Sequence, residues 1–238
     1  MRISDRKYAI TGAGRGLGAA LAIVMADAGA KLVLLARTEE ALGGTLSAIH
    51  KRTGERPNAI ACDLADAESC TKAGHRLATE HPDLDGVIHN GAMWLPGTMN
   101  DLTDVEIQNC VGSAAVGALI LTRHLLPKLT QRGEADIHTV VSTSGLQTRR
   151  PGGGSVAFQA AKSAQAGFVN GLAMELSGTG VRVTAVYPGN FDDVSPLDDS
   201  WLVGDVPEHL LSNREVVDAI LFILNQPPKV AVRSMILE

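Results

Sequence analysis

The stretch Thr11-Gly12-Ala13-Gly14-Arg15-Gly16-Leu17-Gly18 decides the fold of this chain of 238 residues. An apolar run, Tyr8-Ala9-Ile10, precedes it and predicts a strand, and an amphipathic segment from Leu17 to Ala28 follows it and predicts a helix. Glycines let a backbone turn tightly against a phosphate, and a helix beginning there offers free N–H groups. Strand, glycine turn and helix in this order predict a phosphate-binding loop of the dinucleotide-binding type. The alternative is a tight turn that binds nothing.

Length, charge and cysteine content narrow the class of protein. A chain of this length fits one large α/β domain with a full core. The formal charge is −5, and no basic stretch interleaves with aromatic residues, so nucleic acid is not expected as a partner. No apolar run reaches ~18 residues and the glycine stretch comes early, so neither a membrane span nor a secretory signal is expected. Cys62, Cys70 and Cys110 lack metal-ligand spacing and indicate reduced thiols in a cytoplasmic protein, with no metal site.

Further strands and helices alternate along the chain. The segment Lys31–Ala36 is apolar on both faces, as a buried parallel strand is. Other strands are predicted at Asn58–Cys62, Val87–Ile88, Ile137–Ser142, Val181–Val186 and Ser234–Leu237, and helices at Glu39–Thr53, Asp104–Leu129, Ser155–Ser177 and Arg214–Asn225. This alternation predicts a single α/β domain over residues 1–238 with a parallel sheet. The segment from Asn190 to Asn213, which contains prolines and acidic residues, is predicted to form a loop or lid over the site.

Two arginines indicate which dinucleotide the loop binds. Arg37 follows the second strand, about 20 residues after the loop, where such folds meet the adenosine ribose. An acidic residue there would bind the 2′-hydroxyl of NAD, whereas arginine suits the 2′-phosphate of NADP. Arg15, inside the loop, adds a second positive charge. The pair predicts NADP(H) rather than NAD(H); the alternative is two solvated surface arginines.

Polar residues follow the third and fourth strands. The carboxylate of Asp63 could accept a hydrogen bond from an adenine amino group or cap the next helix, which Asp66 also precedes, and both possibilities stay open. His89-Asn90-Gly91-Ala92 follows the fourth strand, and its small residues allow the backbone to lie against a ligand. We expect His89 and His138 to be packed core histidines, and Tyr187 to be a packing residue, rather than catalytic groups.

These stretches together resemble the short-chain dehydrogenase/reductase family over nearly the whole chain. The resemblance rests on Thr11–Gly18, Asp63, His89–Ala92 in place of the family's Asn-Asn-Ala-Gly, Lys162 and Pro188-Gly189. It implies a Rossmann-type doubly wound fold of about seven parallel strands flanked by helices, a small-molecule carbonyl or alcohol substrate, and a homodimer or homotetramer packed through the long helices. The cofactor-binding residues it implies are Gly12, Arg15, Gly16, Leu17, Gly18, Arg37, Asp63, Leu64, Asn90, Gly91, Lys162, Pro188 and Gly189.

The catalytic set that the resemblance implies is asparagine, serine, tyrosine and lysine, and this sequence departs from it twice. Lys162 matches the lysine, and Ser144 best matches the serine, with Ser142 as the alternative. The tyrosine position, four residues before the lysine, holds Phe158, and the asparagine position holds Ala114. The catalytic positions to test are therefore Ser144, Phe158 and Lys162.

Phe158 has the aromatic ring but no hydroxyl, so it cannot transfer a proton. A positioned general acid is typically worth ~10²–10⁴ in rate, so carbonyl reduction by the family's usual route is expected to be impaired while cofactor binding persists. Three hypotheses follow. The first, which we favour because the cofactor residues are complete, is an NADP-dependent oxidoreductase whose proton comes from Ser144, a water held by Lys162, or the lid. The second is a non-catalytic cofactor-binding homologue acting as a sensor or silent partner subunit. The third is a dehydration or isomerisation that uses bound cofactor.

Overall fold

Seven strands form one parallel sheet in the computed structural model, which describes residues 1–146, 153–197, 201 and 210–238. Among these residues the strands are β1 (Lys7–Thr11), β2 (Lys31–Ala36), β3 (Asn58–Ala61), β4 (Gly86–His89), β5 (Ala135–Val140), β6 (Val181–Pro188), β7 (Phe191–Asp192), β8 (Leu211–Ser212) and β9 (Ser234–Leu237). The sheet order is β3-β2-β1-β4-β5-β6-β9, and every neighbouring pair is parallel. The strand order runs outward from β1 to β3 in one direction and from β4 onward in the other, so the two halves meet at β1 and β4, as in doubly wound folds. The predicted Rossmann-type sheet of about seven parallel strands is confirmed.

Helices cover both faces of this sheet. They are α1 (Gly16–Asp27), α2 (Gly43–Thr53), α3 (Ala67–Glu80), α4 (Asp104–Val111), α5 (Gly117–Arg132), α6 (Val156–Glu175) and α7 (Asn213–Leu224). Successive strand residues point to opposite faces, so Ile10 packs with α1, α2 and α7, whereas Ala9 packs with α3, α5 and α6. Both faces of the inner strands β1, β2, β4, β5 and β6 are therefore buried, which explains their apolar sequences.

Side-chain caps fix where the helices begin near the sheet edge that carries the predicted site residues. The hydroxyl of Ser155 accepts a hydrogen bond from the Phe158 N–H and so starts α6 just before Phe158 and Lys162. Ser212 and Glu215 form a reciprocal capping box at the start of α7. Asp66 caps α3 by accepting from the Glu68 N–H. These local signals position α6 and α7 relative to the strands that precede them.

The predicted helix over Asp104–Leu129 is a continuous helical run with an irregular centre. A π-helical turn at Gly112–Val116 separates α4 from α5, which ends at Arg132. By length and composition alone this run, Asp104–Arg132, could cross a membrane. Within the fold, 44% of its apolar window is buried, and Leu121, Leu125 and Leu129 of this run pack in the core beneath the sheet.

Several predicted segments differ from the structure in their bounds, most of them by one or two residues at an end. The fifth strand ends at Val140 rather than Ser142, because the Ser142 side chain caps a 3₁₀ turn at Thr143–Gly145. The proposed lid, residues 190–213, lies partly outside the described residues, at 198–200 and 202–209. In its described part, β7 pairs in parallel with β8, so the two ends of the segment are joined by backbone hydrogen bonds.

Candidate active site

The sequence stretches singled out above meet at the carboxyl edge of the sheet. The glycine loop follows β1, Arg37 follows β2, Asp63 and Leu64 follow β3, and Asn90 and Gly91 follow β4. Ser144 lies in the turn after β5, and Pro188 and Gly189 end β6. Ligands of open α/β sheets bind at this edge, at the point where the strand order reverses. The predicted site residues are therefore neighbours at the position where this fold binds ligands.

The glycine loop is a cradle from which side chains are excluded. Gly12 and Gly16 have φ values of 67° and 53°, in the left-handed region that favours glycine. A Cβ atom on Gly12 would lie 2.7 Å from the Gly91 Cα, and a Cβ on Gly18 would lie 2.5 Å from the Asn90 Nδ2. The two loops thus touch through backbone, and α1 begins at Gly16 with Leu17 and Gly18 in its first turn.

Thr11 connects the glycine loop to the loop after β4 through hydrogen bonds, a role that was not predicted from the sequence. Its hydroxyl oxygen accepts hydrogen bonds from the backbone N–H groups of Asn90 and Gly91, each at 3.0 Å. In return the Asn90 amide donates to the carbonyls of Thr11, at 3.2 Å, and Gly12, at 3.3 Å. The side-chain amide of Asn90 therefore stabilises the conformation of the glycine loop.

The ribose end of the cradle is open and positively charged. Arg15, which precedes α1, and Arg37, which follows β2, are both exposed to solvent. The Asp63 carboxylate accepts a hydrogen bond from the Ala65 N–H at 3.0 Å, while Asp66 caps α3. The residue that caps α3 is therefore Asp66 and not Asp63. The adenine contact of Asp63 stays a prediction.

Lys162 is buried beside this edge, with 5% of its surface exposed. Its ammonium nitrogen donates to the Val140 carbonyl at 3.2 Å and to Gln165 Oε1 at 2.9 Å. Burial away from water disfavours the charged form and lowers the pKa of Lys162 to about 7; the nearby Cys110 thiol opposes the shift. A lysine with this pKa can give or accept a proton near neutral pH.

Phe158 occupies the tyrosine position and faces Lys162 one helical turn away. The Lys162 Nζ lies 5.6 Å from the centre of the Phe158 ring. On its other side the ring meets Trp94 edge to face, with ring centres 4.7 Å apart. A Cβ atom on Gly154 would lie 2.7 Å from the Phe158 ring, so a glycine is required where the chain passes it. Trp94 is 52% exposed and forms the outer end of an aromatic wall.

The two candidate serines have different surroundings. Ser142 Oγ accepts the Ser144 N–H at 3.1 Å and so serves as the cap of the turn. Within the described residues no partner is found for the Ser144 hydroxyl, and Ser144 is buried near the end of β5. Gly145 lets this turn approach α6, because a Cβ there would lie 2.7 Å from the Lys162 carbonyl oxygen. Ser144, rather than the capping Ser142, is thus the better match to the predicted catalytic serine, and its catalytic role stays a prediction.

Comparison with known proteins agrees with this geometry. The family model described as short chain dehydrogenase matches residues 6–201. The chain belongs to the short-chain dehydrogenase family. The resemblance drawn from the sequence is thereby confirmed.

Relatives within the family include proteins named as oxidoreductases. An uncharacterized oxidoreductase of Escherichia coli is 33% identical over 195 residues, covering 79% of this chain and 74% of that protein. One of Staphylococcus saprophyticus is 25% identical over 240 residues, covering 99% and 97%.

Among solved structures, a metagenomic short-chain oxidoreductase in complex with NADP aligns with a TM-score of 0.82 at 22% identity, covering 100% of this chain and 98% of that one. A short-chain dehydrogenase from Sphingobium yanoikuyae in complex with NADPH gives 0.80 at 24%, covering 98% and 87%. At these identities the likeness shows the fold.

A short-chain dehydrogenase is expected to carry an asparagine where this chain has Ala114. Ala114 lies at the centre of the π-helical turn, 1% exposed. Such turns occur preferentially at functional sites. Next to it, Ser113 Oγ accepts the Met93 N–H at 3.1 Å and donates to the Cys110 carbonyl. The backbone irregularity is present although Ala114 has no side-chain amide to contribute.

Other candidate groups are packed in the core. His89 bonds Thr122 at 2.8 Å and His138 bonds Thr184 at 2.9 Å. Burial lowers the pKa of His89 to about 4 and that of His138 to about 3, so both are neutral at neutral pH. Tyr187 is 3% exposed among core residues. All three occupy the packed positions expected for them, and among the described residues no group of three His, Cys, Asp or Glu side chains could hold a metal ion.

Two residues near the site were missed by sequence reasoning. Gln165 is fully buried one turn beyond Lys162 and accepts its hydrogen bond; the spacing on α6 is a signal that could have found it. Asp193, just after β7, reaches the glycine loop, where its carboxylate lies against Gly16 and interacts with the Leu17 N–H. No local pattern indicates that contact, because it joins distant parts of the chain.

Proposed function

We propose that this short-chain dehydrogenase is an NADP(H)-dependent oxidoreductase that acts on a carbonyl or alcohol group, with Ser144 and Lys162 at the reacting atoms and no tyrosine. The observation that carries the proposal is the placement of Lys162. Its ammonium lies beside Phe158 at the same sheet edge as the glycine cradle. Ser144 lies on the turn packed against the same helix.

The residues present fit a phosphorylated dinucleotide. The touching backbones of Gly12 and Gly91 leave the narrow, side-chain-free surface that a pyrophosphate needs. Arg15 and Arg37 are exposed where the ribose would lie, and their charges suit a 2′-phosphate. Related structures titled as complexes with NADP and NADPH support the same choice. We therefore propose NADP(H) over NAD(H), with Asp63, Leu64, Pro188 and Gly189 completing the site.

The cofactor would supply or accept a hydride, and side chains of the protein stabilise the developing charge and transfer the proton. The Ser144 hydroxyl donates a hydrogen bond to the substrate oxygen and stabilises the negative charge that develops there. Lys162, as ammonium, gives the proton that the substrate oxygen needs in the reducing direction, through a water that takes the place of the missing tyrosine hydroxyl. In the oxidising direction the neutral amine accepts it. The Phe158–Trp94 wall provides an apolar surface, so substrates with an apolar group next to the carbonyl are favoured.

The experiment that tests this proposal combines binding with turnover. Titration calorimetry with NADPH and NADH measures cofactor choice, and NADPH consumption is then followed over a panel of aldehydes and ketones. Tighter NADPH binding with turnover that is lost in Lys162→Met but kept in the exposed control Lys128→Met supports it. Binding with no turnover across the panel favours the silent homologue, and product formation with no net NADPH loss favours a dehydration or isomerisation.

Homo-oligomers and a cytoplasmic location are part of the same proposal. The exposed residues in the middle of α6 include Ala160, Ser163, Ala164, Gly167 and Gly171, with open space around the two glycines, and Val116 of the π-helical turn and Leu119 of α5 are also exposed. A flat face of this kind lets two copies approach closely. All three cysteines are free and buried, in keeping with a reducing compartment.

A further inference from the structure

The N-terminus of α1 is engaged by an anion from the protein itself. Burial raises the pKa of the Asp193 carboxyl, and its interaction with the Leu17 N–H opposes that rise. Leu17 is in the first turn of α1, where free N–H groups and the helix dipole attract negative charge. The same carboxylate lies against Gly16, since a Cβ atom placed on Gly16 would lie 2.8 Å from Asp193 Cγ.

Asp193 is held in this position from the side of α7. Asn213 Nδ2 donates to Asp193 Oδ1 at 3.3 Å and to the Val194 carbonyl at 2.7 Å. Asn213 is in turn fixed by the Trp201 indole N–H, which donates to its Oδ1 at 2.8 Å. Asn213 is 1% exposed, so its amide is a rigid anchor. Asp193 itself is open to solvent on its outer side.

This position is the one that a cofactor pyrophosphate needs. In a dinucleotide fold the pyrophosphate sits at the N-terminus of the first helix and accepts from its free N–H groups. Two anions cannot share the Leu17 N–H, and a pyrophosphate beside the Asp193 carboxylate would be repelled by it. Arg15, whose charge also acts on Asp193, is the cation positioned to attract either anion.

We infer that Asp193 is an internal competitor for the pyrophosphate and sets the affinity of this protein for its dinucleotide. The carboxylate must leave the Leu17 N–H before the dinucleotide binds. Its solvent-exposed side gives it room to swing away, while the Asn213 hydrogen bond favours its return. This inference rests on the proposed dinucleotide site and concerns how strongly that site is filled.

The test compares three variants by calorimetric titration with NADPH at low and at physiological salt. Asp193→Asn keeps the shape without the charge, Asp193→Ala removes the occupant, and Asp192→Asn removes one charge from the adjacent residue as a matched control. Both Asp193 variants should bind NADPH roughly 3- to 30-fold more tightly than the wild type, from the usual energy of a charge at a helix N-terminus. Asp192→Asn should change the affinity by less than about twofold.

If both Asp193 variants bind NADPH no more tightly than the wild type, the inference is overturned. It is also overturned if Asp192→Asn gains as much NADPH affinity as the Asp193 variants, because the gain would then reflect net charge alone. A second readout needs no cofactor. The amide resonance of Leu17 should shift in the cofactor-free Asp193→Ala variant and stay in place in Asp192→Asn. If the Leu17 resonance shifts but no form binds NADPH, the dinucleotide site itself is disproved and the Asp193 contact stands. If the wild type binds NADPH and the variants bind no better, only the competition is disproved.

Discussion

The ammonium nitrogen of Lys162 lies 5.6 Å from the centre of the Phe158 ring, and that ring carries no hydroxyl whose pKa the ammonium could lower. In place of such a partner, Lys162 donates to Gln165 Oε1 and to the Val140 carbonyl. The aromatic ring is retained and packed against Trp94, so the shape of the pocket is kept while its proton donor is absent.

Phe158→Tyr should therefore create or raise carbonyl reductase activity. The new hydroxyl would extend from a ring already fixed by Trp94 and would have Lys162 nearby to favour its ionised form. A positioned general acid is worth ~10²–10⁴ in rate, so kcat should rise by about that factor. NADPH consumption with the best substrate of the panel measures it.

Phe158→Leu is the matched control, because it also changes the ring but adds no hydroxyl. It should leave kcat within a few-fold of the wild type or lower it by loosening the wall against Trp94. A gain in Phe158→Leu equal to that in Phe158→Tyr would point to pocket volume rather than proton transfer. No gain in Phe158→Tyr would mean that the reacting atoms lie elsewhere.

The pKa of Lys162 predicts the pH dependence of reduction. Burial lowers that pKa to about 7, and the ammonium is the proton donor, so kcat/KM for reduction should be high below about pH 7 and fall as pH rises through it. Initial rates from pH 5.5 to 9 measure the profile. In Phe158→Tyr the profile should change, because the tyrosine hydroxyl then supplies the proton. A flat wild-type profile would exclude Lys162 as the donor.

The same pKa gives a readout that needs no substrate. The unfolded lysine titrates near 10.4, so between about pH 7 and 10 the unfolded state binds more protons than the folded state. Lys162 therefore contributes a rise in the free energy of unfolding as pH increases through this window. Denaturant unfolding of the wild type and of Lys162→Met across that range should show the rise in the wild type alone. Parallel curves would mean that Lys162 titrates at its ordinary pKa.

Cofactor choice should depend on the two exposed arginines. Arg37→Asp places a carboxylate where a ribose 2′-phosphate would bind, so NADPH affinity should fall by about 10- to 100-fold while NADH affinity is kept or improved. Arg15→Ala should weaken NADPH more than NADH by a smaller factor. Arg56→Asp, which makes the same change on an exposed arginine before β3, serves as the control. If the ratio of NADPH affinity to NADH affinity is unchanged in Arg37→Asp, the arginines do not determine cofactor choice and are ordinary surface residues.

The parts of this site that sequence could predict are those encoded over short distances. The glycine loop is read directly from its flanking strand and helix, and the spacing of Phe158 and Lys162 on α6 places them one turn apart. The hydrogen bond of Thr11 to Asn90 joins residues 79 apart in the chain, and the contact of Asp193 with Gly16 joins parts of the chain that are still more distant. Such contacts follow from the sheet order, which no local pattern contains.

The π-helical turn was missed for a different physical reason. Its sequence, Gly112-Ser-Ala-Ala-Val116, has small residues that fit an α-helix equally well, so periodicity cannot distinguish the two. Packing decides instead. A Cβ atom on Gly117 would lie 2.5 Å from the Leu64 carbonyl oxygen, so the helix passes very close to the loop after β3 at this point.

Stability should depend on a buried charge cluster at the amino edge of the sheet, opposite the site. Asp136 accepts from Arg2 at 2.7 Å, from Arg182 at 2.7 Å and from the Tyr8 hydroxyl at 2.9 Å. Asp136→Asn leaves the buried Arg182 guanidinium without its carboxylate and Arg2 with only the more exposed Glu134, which costs about 3–5 kcal/mol of unfolding free energy. Denaturant titration measures the loss.

Asp83→Asn provides the control for that experiment. Asp83 makes the same kind of ion pair with Lys7, at 2.8 Å, but its side chain is 60% exposed. Its removal should cost less than about 1 kcal/mol. NADPH affinity should be unchanged in both variants that remain folded, since the cluster is remote from the cradle. Equal losses in the two variants would show that burial of the Asp136 cluster does not matter.

The face of α6 should hold two copies of the chain together. Gly167 and Gly171 have no neighbouring atom within 4 Å of where a Cβ would lie, so added side chains meet only solvent in a single chain. Gly167→Arg should therefore leave the monomer folded and block close helix approach, lowering the sedimentation mass to that of one chain. Gly43→Arg, at another glycine with open surroundings, is the control that should keep the wild-type mass. A wild type that already sediments at the 24.9 kDa of one chain would exclude the interface, because no partner would be there to lose.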